Sequence, residues 1–236
     1  MTAAPARPEL VAAFRDLHRP GRPLLMPNAW DAGSARVLAS LGFAALATTS
    51  SGFAATLGRL DGTVTREEAL RHAADLVAAT ALPVSADLEN GFADDPESVA
   101  ALVRDAIGVG LAGCSVEDAT GRPDLPDTIA RLRSFQDAGA DVLYAPGLKR
   151  AGDIEAVVRS VDRPVNVLAM PGAPTVAELG DLGVSRVSVG GAFAFAALDA
   201  LVTAARELLD DGTYGYTERS ARAVGVARTA FGQPAR

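Results

Sequence analysis

The chain has 236 residues, 49% of them hydrophobic and only 5% aromatic, and a formal charge of −7. That acidic balance excludes the basic footprint of a nucleic-acid binder, and a single cysteine excludes an internal disulfide framework and fits a reducing compartment. The N-terminus lacks a signal-type apolar region and no run of ~18 apolar residues occurs, so a cytoplasmic protein that does not enter membranes is expected.

Residues 1–6 read as a loose terminus. Segment 7–18 has helical spacing, with Leu10, Val11, Phe14 and Leu17 on one face, and Pro20-Gly21-Arg22-Pro23 breaks it. A strand at 24–27 follows, then a helix capped by Asp31 and ended by Gly42. Strand 43–49 leads into a long loop holding Ser50-Ser51-Gly52 and Asp61-Gly62. Thr65 and Glu68 form a capping-box pattern for helix 66–79. Strand 83–88 precedes helix 96–108, whose Pro96 suits a first helical turn. Then come strand 113–117, helix 126–138, strand 141–145, helix 151–160, strand 164–168, helix 175–182, strand 186–189, an apolar helix 193–210 and a tail helix 217–229.

Strand-helix alternation of this kind predicts a parallel sheet with helices on its faces. The length is close to the ~250 residues of one α/β barrel. No repeat or linker divides the chain, so residues 1–236 read as one barrel domain with an N-terminal helix and a C-terminal helical tail. Seven strand-helix units are readable, one fewer than a closed barrel of this type needs.

Two strands end in carboxylates: Asp87 and Glu89 close one, Glu117 the other. Alternation along a strand puts Asp87 and Glu89 on one face, and Ser115 with Glu117. In parallel neighbours these carboxylates crowd at the C-terminal ends, which is costly unless a cation or shared protons offset the repulsion. This is the candidate active site.

Several stretches resemble the isocitrate lyase/phosphoenolpyruvate mutase superfamily, and they occur in family order over nearly the whole chain. They are Pro27-Asn28-Ala29-Trp30-Asp31-Ala32, Thr48-Thr49-Ser50-Ser51-Gly52 with Leu57-Gly58 and Asp61-Gly62, Ser85-Ala86-Asp87-Leu88-Glu89-Asn90-Gly91, Val116-Glu117-Asp118, Ala140-Asp141-Val142-Leu143-Tyr144-Ala145-Pro146-Gly147, Pro164-Val165-Asn166-Val167 and Arg186-Val187-Ser188-Val189-Gly190-Gly191. The resemblance implies a TIM-type (β/α)8 barrel with Mg2+ (or Mn2+) at its C-terminal mouth, against the positions of Asp87, Glu89, Glu117 and Asp61. It implies a substrate cradle at Ser51, Gly52 and Phe53, and chemistry that makes or breaks a C–C or P–C bond beside a 2-oxo acid, through an enolate-like intermediate. Family members also exchange their last helices between subunits, so a homo-oligomer through the C-terminal helices is expected.

The chain departs from the family pattern twice. The cysteine loop of the lyase branch is absent after Glu117-Asp118, which argues against isocitrate or methylisocitrate cleavage by that route. In addition, Glu117-Asp118-Ala119-Thr120 runs almost directly into Gly121-Arg122-Pro123-Asp124-Leu125. One helix and one strand, on the order of 30–40 residues, are missing there, with the substrate-binding arginine the family carries on that strand. The barrel must then close with altered tilt or stay open between strands 113–117 and 141–145.

A structural reading stands beside each candidate. The carboxylates could cap helices, and Asp61 could be a turn residue. Asn28 and Trp30 lie at the mouth, where Trp30 could equally be a core plug. Asn166 is mid-strand and could point into the barrel. Cys114 reads as a buried thiol, and His18 and His72 as surface or packing residues. Arg186 begins the last strand, at the barrel's bottom, and reads as structural. Lys149 could suggest a Schiff-base lysine, with nothing to show a desolvated setting. Gly190-Gly191 before an apolar helix is a rival clue, because late-strand glycines form phosphate sites in many barrels. Two functions follow: a magnesium-dependent lyase, hydrolase or phosphonomutase of a small 2-oxo or 2-hydroxy carboxylate, or a degenerate, non-catalytic barrel serving as oligomer subunit or binding module. Loss of the unit predicts magnesium binding with weak turnover.

Overall fold

Pro27 divides the first strand in two. β1 (Leu24–Met26) and β2 (Asn28–Ala29) flank that single residue, which has no N–H to give to a ladder. β1 joins one parallel sheet, in the order β1-β8-β7-β6, and β2 the other, in the order β2-β3-β4-β5. Here β3 is Leu46–Thr48, β4 Val84–Asp87, β5 Gly113–Ser115, β6 Leu143–Tyr144, β7 Val165–Leu168 and β8 Arg186–Ser188. This computed structural model describes residues 8–118 and 124–232. The link read at 121–123 and the loose terminus at 1–6 lie outside the described residues.

Counted as one kinked strand, 24–29 gives seven strand positions, in agreement with the seven units in the sequence. The eight-unit barrel that the resemblance implies is one unit short here. Among the described residues the array ends at β5 on one side and β6 on the other, with no ladder between them. The barrel therefore stays open at this seam. At the mouth end of the seam, Arg131 donates to the Asp118 backbone carbonyl at 2.6 Å and meets its carboxylate at 2.5 Å. At the base, Arg15 lies 3.6 Å from Asp141, an exposed pair of little energetic weight.

Parallel strands need long crossovers, and the helices supply them on the outer faces. These are α2 (Ala32–Ser40), α3 (Ser50–Thr56), α4 (Arg66–Ala79), α5 (Pro96–Gly108), α6 (Leu125–Asp137), α7 (Ala151–Ser160) and α8 (Val176–Asp181), with α1 (Pro8–Asp16) preceding the first strand. Local chemistry fixes their starts. Thr65 and Glu68 form the expected reciprocal box, Asp31 forms another with Ser34, and Asp95 caps α5 ahead of Pro96.

Residues 50–56 correct the expected loop. Thr49 is extended, its hydroxyl accepts from the Gly52 N–H, and a seven-residue helix follows. Gly52 is required by space: a Cβ there would come within 2.6 Å of Thr49 Cγ2 and 3.1 Å of Trp30 and Ala194 side chains.

Each half has its own core. Leu46, Leu76, Val84, Leu88 and Leu102 fill one; Ile154, Val167, Leu179, Val184, Leu143 and Val157 fill the other. Each fully buried aliphatic side chain contributes about 1.5–3 kcal/mol. Phe14 of α1 plugs the base between Leu24, Met26, Ala45 and Ala47. Its ring occupies the space beside Gly113, where a Cβ would meet it at 3.0 Å.

α9 (Ala192–Arg206) runs into a π-helical turn (Glu207–Asp211), and α10 (Tyr216–Phe231) packs on α2. Burial of the apolar helix within its own barrel is not what the fold shows. Of α9 only Ala194 is buried, while Phe195, Leu201 and Val202 are exposed. No helix among the described residues is long and apolar enough to cross a membrane.

Candidate metal and substrate site

Asp87 is the last residue of β4. Its N–H donates to Thr48 Oγ1 at 2.9 Å, its Oδ2 accepts from the Ser50 N–H at 3.0 Å, and its Oδ1 accepts from the Glu89 N–H at 3.2 Å. The carboxylate is thus held rigidly over the end of β3. Strand alternation predicted that Glu89 would share its face, but the strand stops at Asp87. Glu89 lies in a turn with φ +48°, closed by the Gly91 N–H donating to Leu88 O. That left-handed backbone is strained for a side chain-bearing residue, and it turns Glu89 back toward the mouth. β5 likewise stops at Ser115. The Glu117 N–H donates to Glu89 O, which joins the two loops. The carboxylates meet through loops and not through one strand face.

Their electrostatics are coupled. Burial, then Asp61 and Asp87, pushes the Glu89 carboxyl above its ordinary range. Burial, then Asp87, Asp61 and Glu89, does the same to Glu117. Glu89 Oε1 is sealed from solvent with no hydrogen-bond partner. An orphaned carboxylate oxygen among three other carboxylates fits a cation. Among the described residues no three acidic, His or Cys side chains converge tightly enough to form a preformed ligand cage. Magnesium gives up water reluctantly and needs only one or two carboxylates besides its own waters. Asp87, Glu89 and Glu117, with Asp61 in an exposed turn, are the residues that would hold it.

The candidate substrate residues separate. Ser51 Oγ lies 3.2 Å from Thr49 Oγ1 and fills the space beside Gly191, where a Cβ would come within 2.5 Å of it. Gly52 is buried in packing. Phe53 stacks on His72, ring centroids 3.9 Å apart and 7° from parallel. Its ring still walls a small hollow shared with Thr48, Ser50, His72, Asp87 and Glu89. The cradle is therefore not delivered as one loop, and Ser50, read only as part of the Ser50-Ser51-Gly52 stretch, is the residue bonded to Asp87.

Trp30 is half-buried and neither plugs the core nor lines that hollow. It borders a cleft of about 380 Å³ with Arg36, Phe53, His72 and Asp75. His72 is a packing histidine bonded to Trp30 O. Asn28 is a structural stitch: its Nδ2 donates to Thr48 O at 2.6 Å, and its Oδ1 accepts from the Val189 and Gly190 N–H groups at 3.0 Å. It thereby ties the two sheets together across the Pro27 break. It also occupies the Gly190 amide, one of the donors that a phosphate site at Gly190-Gly191 would use, which weighs against the rival sugar-phosphate reading.

Below the mouth, Asn166 points into the barrel and is 2% exposed. Its Oδ1 accepts from Arg186 Nε at 3.0 Å, and its Nδ2 donates to Ser188 Oγ at 3.0 Å. Arg186 begins β8 in register with Leu24 and Asn166, 3.3 Å from His18 Nε2, and burial pulls its guanidinium down to about 10. Tyr144 ends β6; burial, then Glu117 and Asp87, pushes its phenol up to about 12. Burial raises the Cys114 thiol, which fits an inert packing residue. Lys149 is exposed, so no desolvated lysine exists at that strand end.

A parallel α/β barrel with carboxylates at its strand ends has the architecture of the barrel enzymes. More narrowly, the chain belongs to the phosphoenolpyruvate phosphomutase family, whose model matches residues 14–124 and 120–209. The two matches meet at 120–124, where the missing unit was read. The fold is that of the phosphoenolpyruvate mutase/isocitrate lyase superfamily, which includes lyases and mutases. An uncharacterized protein of Mycobacterium tuberculosis H37Rv is 32% identical over 238 residues, covering 84% of this chain and 89% of the relative. A solved chain from Burkholderia cenocepacia J2315, described as a candidate lyase/mutase, is 45% identical with a TM-score of 0.91, covering 96% of this chain and 98% of that one. At the level of fold, oxaloacetate acetylhydrolase in complex with oxalate superposes with a TM-score of 0.80 at 22% identity, covering 93% of this chain and 94% of that one.

Proposed function

We propose that the chain is a magnesium-dependent lyase or mutase that makes or breaks a C–C or P–C bond in a small 2-oxo or 2-hydroxy carboxylate, through an enolate-like intermediate. The observation that carries this reading is the orphaned, buried Glu89 Oε1, with Glu89 and Glu117 both pushed up by burial and then by neighbouring carboxylates. Bound there, magnesium or manganese would polarise the oxo group and carboxylate of the substrate. The chain's residues do the rest. The Ser50 and Glu89 amides hold Asp87 in one orientation, so no reorganisation is needed on binding. Thr48 and Phe53 wall the hollow and limit water. Ser51 would donate its hydroxyl to a substrate carboxylate.

A second reading is favoured by the open seam and by the lost unit: a degenerate barrel that keeps its cation without turnover. Magnesium titration of thermal stability, with and without oxalate, separates the two. Oxalate mimics the planar enolate of pyruvate. A joint stabilisation by both supports a working site, because a ligand that binds only the native state raises its stability. No shift with either supports the degenerate reading. With the strand opposite Tyr144 missing, we expect turnover of a 2-oxo acid or phosphonate panel to be weak. We further propose that the exposed apolar face of α9 is an interface between copies of this chain.

A further inference from the structure

We propose that α1 is an acid-released latch: neutral His18 fastens it to the barrel, and protonation of His18 frees the helix and its Phe14 plug while the barrel stays folded.

The protonation state follows from the two partners of the ring. His18 Nδ1 lies 2.8 Å from the Phe14 carbonyl, which only accepts, so Nδ1 carries the proton. Nε2 lies 3.3 Å from Arg186 Nη1, which only donates, so Nε2 is bare. The ring is therefore neutral, a donor toward α1 and an acceptor toward β8. A second proton can go only to Nε2, where it removes the acceptor of Arg186 and brings two cations together. The guanidinium keeps its charge throughout the range in which histidine titrates. It is also held in place, because its Nε donates to Asn166 Oδ1 and Asn166 Nδ2 donates to Ser188 Oγ.

The surroundings do little to offset that new charge. His18 and Arg186 are each 8% exposed, so water screens them poorly. Among the described residues, the charged groups acting on His18 are Arg186, from β8, and Asp141, just before β6. Asp141 is exposed and shared with Arg15 of α1. Phe14 itself packs on Leu24, Met26, Ala45, Ala47 and Gly113, none of which titrates. Burial, then Arg186, holds His18 below its ordinary 6.5. The freed residue thus takes a proton more readily than the latched one, and falling pH favours release.

Release is local because α1 has few other holds. Phe14 is the only buried residue of the helix, and its ring meets His18 edge-on at 4.8 Å. A helix with one buried anchor opens at lower cost than the sheet cores. Its departure uncovers Gly113, the first residue of β5, so this edge strand should loosen with the latch.

The test follows His18 by 15N NMR, with amide exchange across the chain, from about pH 8 to 5. At the neutral end Nδ1 should carry the proton. Protection of the α1 amides should fall about tenfold or more along the His18 titration curve, while that of β3, β4 and β7 holds. His18→Gln, which cannot titrate, should abolish the pH response of α1 whether or not it seats as well as histidine. Four results would each overturn the latch: a proton on Nε2 at the neutral end, α1 protection that outlasts protonation of His18, the same pH response in His18→Gln, or loss of protection across the whole barrel together with α1.

Discussion

The Ser50 backbone N–H donates to Asp87 Oδ2 at 3.0 Å, joining residues 37 positions apart. This bond ties the start of α3 to the end of β4 and fixes the carboxylate on which the candidate site depends. Asp87→Ala leaves the Ser50 and Glu89 amides without that acceptor. Unfolding free energy, from urea titration in chelator, should fall by about 1–3 kcal/mol. Stabilisation by magnesium should vanish. Asp87→Asn keeps one acceptor oxygen, so it should recover most of the stability and none of the metal response.

Glu89 and Glu117 set a pH dependence of opposite sign to the usual carboxylate. Burial and neighbouring charges raise both above the ordinary 4.5. Between that value and the raised one, the native state holds more protons than the unfolded state, so metal-free stability falls as pH rises through this window. Glu117→Gln should therefore make the metal-free protein more stable than wild type above the window, while shrinking its stabilisation by magnesium. His18 and His72 act the other way. Burial lowers both from 6.5, so their contribution is lost as pH falls through 6.5. The difference between wild type and Glu117→Gln, from urea midpoints across about pH 4–8, cancels the histidines and isolates the carboxylate.

The seam should be the weakest part of the barrel. Among the described residues β5 and β6 each lack a partner on one side, and Arg131 spans to Asp118 at the mouth. Amide hydrogen exchange at 113–115 and 143–144 should be faster than at β3 and β4, which are paired on both sides. Arg131→Ala should quicken exchange at β5 further and lower stability by about 1 kcal/mol, since both groups are partly solvated.

The apolar face of α9 should hold copies of the chain together. Leu201 is 64% exposed in an isolated chain. Leu201→Asp should reduce the sedimenting mass to that of a monomer and leave the circular dichroism spectrum unchanged. A wild type that sediments as a monomer contradicts the interface.

Much of the fold was legible because its signals are local. Capping residues such as Thr65 and Glu68 announce helix starts, and apolar runs such as 164–168 announce parallel strands buried on both faces. The missing unit was legible too, as a break in family order after Asp118. What could not be read locally depends on distant partners. Ser50-Ser51-Gly52 looks like a loop until Thr49 caps it and Trp30 and Ala194 pack on Gly52. Asn28 looks like a mouth residue until the Gly190 amide, 162 positions away, is seen bonded to it. Asp87 and Glu89 border one hollow, but a left-handed turn, not strand alternation, brings Glu89 back.

The most direct test of a cation-dependent carboxylate site is calorimetric titration of oxalate with magnesium present and with the metal chelated. The account predicts saturable binding in magnesium that disappears in chelator and in Asp87→Ala. Equal binding with and without the metal, or none in either condition, would contradict it.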